Sequence, residues 1–237
     1  MIPLRDDNPT HTTPVVTRAL IAINVLAFLY EVSMGSYLGY FVRGWGLIPE
    51  RLSLAFTGAE PLPPALLTVL TSMFLHGGWV HLIGNMWYLW VFGDNIEDRL
   101  GHVRFLGFYL VAGTVSAALH TLANPGSPIP TVGASGAIAG VLGAYAFAFP
   151  RTRVITLVPI FFFLQIMALP ALLVLGLWFV VQIFSGSLAL GTGATGGVAW
   201  WAHIGGFAFG VVFMAIFGGV PPVSGEPQGA SRAWVEE

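Results

Sequence analysis

The sequence predicts an all-α integral membrane protein: a bundle of six membrane-crossing helices with both termini cytoplasmic. Three observations carry that reading. Hydrophobic residues make up 56% of the 237 and charged residues only 8%, against roughly 25% charged in soluble domains. The apolar residues fall into six runs of helical length. The arginines lie mostly in the connections of one side. So few charges cannot coat a soluble particle of this size. The wealth of aromatic and branched apolar residues excludes a disordered chain.

Taken in order, the first span is expected over residues 17–32 and the second over 79–92, fading into Asp94, Glu97, Asp98 and Arg99. The third covers 103–122, and the fourth covers 133–149, stopped by Pro150. The fifth lies within 154–184, too long for one straight span. Pro159 and Pro170 break it into an interfacial lead-in and a helix from about Leu169. The sixth covers 198–217. An even number of spans puts both ends on one side. With the ends cytoplasmic, that side carries Arg5, Arg18, Arg99, Arg104, Arg151, Arg153 and Arg232, and the other keeps only Arg43 and Arg51. The domain division is a cytoplasmic segment 1–16, a membrane domain 17–219 and a disordered cytoplasmic tail 220–237. Residues 1–16 have the pattern of neither a signal peptide nor a transit peptide. Connection 33–78 is long and holds Trp45, Leu47, Ile48, Leu52, Leu54 and Phe56, so much of it should pack at the membrane face. Connection 185–197 is rich in Gly, Ser and Thr and should be mobile, as a lid would be.

Composition also excludes functions. The chain has no cysteine, which removes disulfides, iron–sulfur clusters and thiol catalysis. Net charge is −2 with no basic run, so no nucleic-acid partner is expected. No histidine pair has metal-ligand spacing, and no cofactor or metal is expected. The partners to expect are the lipid bilayer and membrane-embedded proteins. The sequence leaves the oligomeric state open.

Polar side chains inside a membrane are costly and mark function by default. Span two holds His81 and Asn85, four apart and so on one helix face. Span four opens with Gly133-Ala-Ser135-Gly136, and span six holds His203. Counted from the cytoplasmic ends at 1.5 Å per residue, Ser135, His203 and His81 each lie about 24 Å up and Asn85 about 18 Å. In a core about 30 Å thick, Ser135, His203 and His81 fall in the outer third and Asn85 at its inner edge. Gly136-x-x-x-Gly140 in span four faces Ala202-x-x-x-Gly206-x-x-x-Gly210 in span six. Small residues four apart let two helix backbones touch.

These residues resemble a known family. The chain is similar to the rhomboid intramembrane serine proteases of bacterial type, from the first span to the sixth. The resemblance rests on His76-Gly-Gly-Trp-Val-His81-Leu-Ile-Gly-Asn85, Gly133-Ala-Ser135-Gly136 and Ala202-His203-x-x-Gly206-x-x-x-Gly210. Glu97-Asp-Arg99-Leu-Gly101 and Gly46-Leu-Ile-Pro49 add to it. It implies a six-helix rhomboid bundle in a bacterial plasma membrane. It implies a Ser135–His203 dyad with no carboxylate, and an oxyanion site from His81, Asn85 and the Ser135 backbone N–H. The substrates it implies are transmembrane helices cut near their outer ends after sideways entry from lipid, with span five and the last outer loop as the gate. One position departs from the pattern: some members stack an aromatic, four residues after the nucleophile, against the base, and here that residue is Ala139.

Each residue also has a plainer reading. Ser135 could be a helix cap, and His203 a hydrogen-bonding or proton-relay group. His81 and Asn85 could be glue between helices. His76 reads as structural, ordering the first loop. Glu97 and Arg99 read as a pair or a cap, and His102 and His120 as interfacial. A proton-coupled transporter would need inverted repeats or a midplane acid, and neither is present. A catalytically silent scaffold would be expected to lack the Ser or the His.

Overall fold

The computed structural model describes residues 1–160, 163–192 and 199–218. The elements run β1 (Ile2–Asp6), α1 (Val15–Ser33), α2 (Leu38–Trp45), α3 (Pro49–Phe56), α4 (Leu62–Thr71), α5 (Trp79–Leu100) and α6 (His102–Ala123), then α7 (Ser135–Ala148), β2 (Arg153–Ile160), β3 (Phe163–Pro170), α8 (Ala171–Thr192) and α9 (Trp200–Phe217). The fold is a mostly helical membrane bundle. By length and composition, α1, α6 and α9 can each cross a bilayer. The 62–74 helix and α5, bent by 80° at their junction, pass together as a fourth. α7 and the Ala171–Ser185 stretch are apolar but shorter.

α7 is the centre of the bundle. Every residue from 136 to 146 is buried, so no face of that stretch meets the outside of the bundle. Its 14 residues span about 21 Å, less than a bilayer core. α9 lies directly on it. A methyl group built at Gly206 would sit 2.0 Å from the Gly136 carbonyl oxygen, and one at Gly210 would sit 1.9 Å from that of Gly140. Any side chain at these positions would hold the two backbones apart. α5 and α6 form a hairpin of helices around Gly101, whose φ of 77° turns the chain within one residue.

One end of the bundle is tied together by polar contacts. Glu97, fully buried on α5, accepts the Val16 and Thr17 N–H groups at 2.8 and 2.7 Å and so caps the start of α1. Arg99 donates to the Gly218 carbonyl at 3.1 and 2.7 Å, closing the end of α9. The Tyr145 hydroxyl, near the end of α7, donates to Asp6 of β1. Glu97 and Arg99 therefore do not pair with each other: each satisfies the backbone of a different helix end.

The all-α expectation is corrected at residues 153–170. The interfacial lead-in is a β-hairpin, β2 and β3, and β1 adds to its other edge in the order β1-β2-β3. The segment holds Val154, Ile155, Thr156, Val158, Ile160, Phe163 and Ile166, β-branched or aromatic residues that favour strands. Pro159 lies beyond the stretch of β2 that pairs with β1, where a residue without an N–H is tolerated. A second correction concerns the last outer connection: α8 continues to Thr192, so 185–192 is helix rather than loop. Its remainder, residues 193–197, and the tail 220–237 fall outside the described residues.

The long connection 33–78 holds the segment leading into α7. Leu47 and Thr131 exchange backbone hydrogen bonds of 3.1 and 2.7 Å. The Glu50 N–H donates to Ser127 O at 3.1 Å, and the Gly133 N–H to Ser72 O at 2.9 Å. Leu47, Leu52, Val69 and Met73 pack with Ala117 of α6 as a second apolar core. The entry to Ser135 is thus clamped from outside the bundle.

Candidate functional site

Ser135 is the first residue of α7. Its N–H is one of the four at a helix start with no intrahelical acceptor. His203 sits in the first turn of α9 and is buried. The close α7–α9 packing brings the two side chains together, with Ser135 Oγ 2.7 Å from His203 Nε2. When Nε2 carries no proton, the hydroxyl donates to it at that distance.

His81 and Asn85 stand one turn apart on α5, on the same side of Ser135. The Gly77 N–H donates to His81 Nδ1 at 3.3 Å, which leaves the ring's proton on Nε2. Both side chains converge on Gly133. A Cβ built there would lie 2.7 Å from His81 Nε2 and 3.6 Å from Asn85 Nδ2. Glycine is required at 133 twice over, for this space and for its φ of 130°. Asn85 Nδ2 is buried and has no partner among the described residues. A buried donor left without an acceptor costs about 1–3 kcal/mol, so the site holds an amide N–H ready for an oxygen. His76 backs this pair: its buried ring lies 5.2 Å from that of His81, and its N–H donates at 3.0 Å to Glu31, a buried carboxylate of α1.

Two partners of His203 come from α8, which the sequence reading took only as part of a gate. Gln182 Oε1 lies 2.8 Å from His203 Nδ1. Trp178, one turn before Gln182, lies 5.8 Å from the His203 ring at 36°. Trp200 meets the same ring edge-on at 6.3 Å. Phe207, one turn below His203, stacks on Phe179 at 4.4 Å and 17°. The aromatic support missing at Ala139 is supplied by a different helix. A signal was available: Trp178 and Gln182 are an i, i+4 pair in an apolar span, and a membrane-buried amide marks function by default.

His120, expected at an interface, faces a pocket. Four residues after Ser116 on α6, it turns inward, and its Nε2 lies 3.1 Å from Thr131 Oγ1. It lines a small cavity of about 30 Å³ beside Ser135, room for about a water, with Ser72, Ser116 and Thr131 as the other polar walls. His102, expected at an interface, hydrogen-bonds Glu97 at 2.6 Å. The arrangement offers a hydroxyl on a base, donors converging within reach of it, and space beside it. That is the inventory of acyl transfer.

A family model described as "Rhomboid domain" matches residues 63–219. The presenilin-associated rhomboid-like protein A, mitochondrial, of Danio rerio is 32% identical over 67% of this chain and 39% of its own length. The rhomboid protein 1, mitochondrial, of Saccharomyces cerevisiae is 29% identical over 59% of this chain and 38% of its own. The rhomboid protease GluP of Bacillus subtilis is 35% identical over 56% and 24%. The chain spans well under half the length of these curated relatives. Two of the three names are mitochondrial, so the bacterial plasma membrane expected from the sequence is not supported by them. The apolar helices and the family match make the chain a multi-pass integral membrane protein.

Proposed function

We propose, for a chain that belongs to the rhomboid family, that it is an intramembrane serine endopeptidase working through Ser135 and His203. The observation that carries the reading is the 2.7 Å hydrogen bond between the Ser135 hydroxyl and His203 Nε2, beside an unpartnered Asn85 amide.

Ser135 Oγ attacks the scissile carbonyl carbon while His203 Nε2 takes its proton. The carbonyl oxygen becomes an oxyanion. It accepts hydrogen bonds from Asn85 Nδ2–H, His81 Nε2–H and the Ser135 N–H, which the start of α7 leaves free. The helix dipole at that start adds to the effect. As the tetrahedral intermediate collapses, the C–N bond breaks and His203 returns the proton to the leaving amine. A water, deprotonated by His203, then adds to the acyl carbon. Ser135 leaves with the proton, and the site is restored.

The reading includes six crossings, with α7 as the short fourth and α8 as the fifth, and both ends of the 17–219 membrane domain cytoplasmic. The substrates are transmembrane helices cut near the outer end, since α7 is too short to carry Ser135 to the far face of the membrane. Glu97, Arg99 and His76 are structural in this scheme, and Gly133, Gly136, Gly140, Gly206 and Gly210 set the spacing of the site.

The test is cleavage of a single-span substrate in liposomes, with wild type beside Ser135→Ala and His203→Ala and the cut mapped by mass spectrometry. Cleavage near the outer end by wild type alone is the expected result. Cleavage that survives Ser135→Ala would assign a different nucleophile. A wild type that neither cleaves nor reacts with a fluorophosphonate at Ser135 would favour a silent scaffold.

A further inference from the structure

We propose that Gln182 is the positioning residue that sets the working tautomer of His203. The inference rests on the protease reading above and adds to it a third side chain, from α8.

A neutral imidazole carries one proton on either of its two nitrogens. Only the form with the proton on Nδ1 leaves Nε2 free to accept from Ser135. The other form turns Nε2 into a donor and cannot act as the base. An isolated ring populates both, and the partner of the second nitrogen decides between them. Here that partner is Gln182, whose Oε1 lies 2.8 Å from Nδ1. Gln182 is 6% exposed and His203 8%, so water does not substitute freely. An amide oxygen accepts only, so at this contact the proton is held on Nδ1.

The ring is held in its plane as well. Trp178 and Gln182 stand on one face of α8, one turn apart. One lies against the imidazole at 5.8 Å while the other fixes its edge. An amide rather than a carboxylate suits this depth. It orients the base without an ion, whose burial in a membrane helix is costly. Its chain neighbours Val181 and Ile183 are apolar and exposed, so 182 is the inward-facing position of this turn. An amide at 182 is accounted for by the histidine it meets.

The test uses the full chain in liposomes or detergent with two variants. Gln182→Met keeps length and removes the acceptor. Gln182→Glu keeps an oxygen at the same reach. The expected result is a fall in kcat on the order of 10²-fold for Gln182→Met, with KM and Tm unchanged and fluorophosphonate labelling of Ser135 slowed in parallel. Gln182→Glu should recover most of the loss. Nitrogen-15 spectra of histidine-labelled protein should show the His203 proton on Nδ1 in wild type and distributed over both nitrogens in Gln182→Met. Wild-type kcat in Gln182→Met would overturn the proposal. So would equal losses in both variants with a lowered Tm, which is the mark of a packing role. An inactive, unlabelled wild type would instead overturn the protease reading, while the nitrogen-15 spectra would still decide the tautomer.

Discussion

Substituting Gly206 by alanine tests whether backbone contact between α7 and α9 is what assembles the site. The new methyl would fall 2.0 Å from the Gly136 carbonyl oxygen and 2.6 Å from Ser116 Oγ. Real Cβ atoms essentially never approach within 3.0 Å, so the helices must part locally by about 1 Å, the difference between those distances. Gly136 follows Ser135 directly, and Gly206 lies three residues from His203. The same displacement would stretch the 2.7 Å Ser135–His203 contact to about 3.7 Å, beyond a hydrogen bond. A misplacement of about 1 Å costs on the order of 10²-fold in rate, and overpacking costs about 1–3 kcal/mol in stability. The assay is substrate cleavage and Ser135 labelling in liposomes, with Tm measured alongside. Gly84→Ala is the control, because a Cβ on that α5 residue meets nothing within 4 Å. It should be neutral, or stabilising by up to about 1 kcal/mol. Gly206→Ala with wild-type cleavage and wild-type Tm would refute the close-contact argument. A large loss in Gly84→Ala as well would show that the effect is not specific to the α7–α9 seam.

Other consequences follow from single contacts. Asn85→Ala should lower kcat on the order of 10²–10³-fold with little change in Tm, since Nδ2 has no partner to lose. A collapse in Tm with kcat retained in the folded fraction would make Asn85 structural instead. Glu97→Ala leaves the Val16 and Thr17 N–H groups without their carboxylate, at about 3 kcal/mol or more. Thermal unfolding in detergent should show a Tm lower by about 6–12 °C, and an unchanged Tm would remove Glu97 as the α1 cap. Burial pushes the Asp6 carboxyl above its ordinary value of 3.8, against the lowering effect of the Tyr145 and Asn8 hydrogen bonds. The folded protein therefore binds that proton more tightly than the unfolded chain. The stability it contributes is present in full below pH 3.8 and is lost as pH rises through the raised folded value. Asp6→Asn should abolish that part of the pH dependence of Tm, and an unchanged wild-type-minus-variant difference across this range would contradict it.

Much of the fold was legible because the signals are local. The runs that became α1, α6 and α9 are long and apolar, and the breaks at Gly101 and Pro150 are single-residue steric facts. The hairpin at 153–170 was misread for a physical reason. An apolar run rich in β-branched residues is ambiguous between helix and strand until its pairing partner is known. One partner, β3, is local, but the strand that completes the sheet, β1, lies about 150 residues away at the start of the chain. The inward turn of His120 was missed because a histidine near a helix end reads the same whether it faces lipid headgroups or a pocket.

For the site, the chain alone indicated which polar residues to place at one depth, and it determined which faces are smooth enough to touch. Both are set by 1.5 Å per residue and by the absence of a Cβ. Only the tertiary structure decided what the second nitrogen of His203 meets. Gln182 and His203 are 21 residues apart on different helices, and no periodicity connects them. Their contact depends on how α8 packs across α9, through Phe179 on Phe207 and Trp178 on the imidazole. Helix spacing along the chain fixes height in the membrane, whereas rotation about the membrane normal is settled by packing against neighbours. The tautomer of a histidine belongs to the second kind of information.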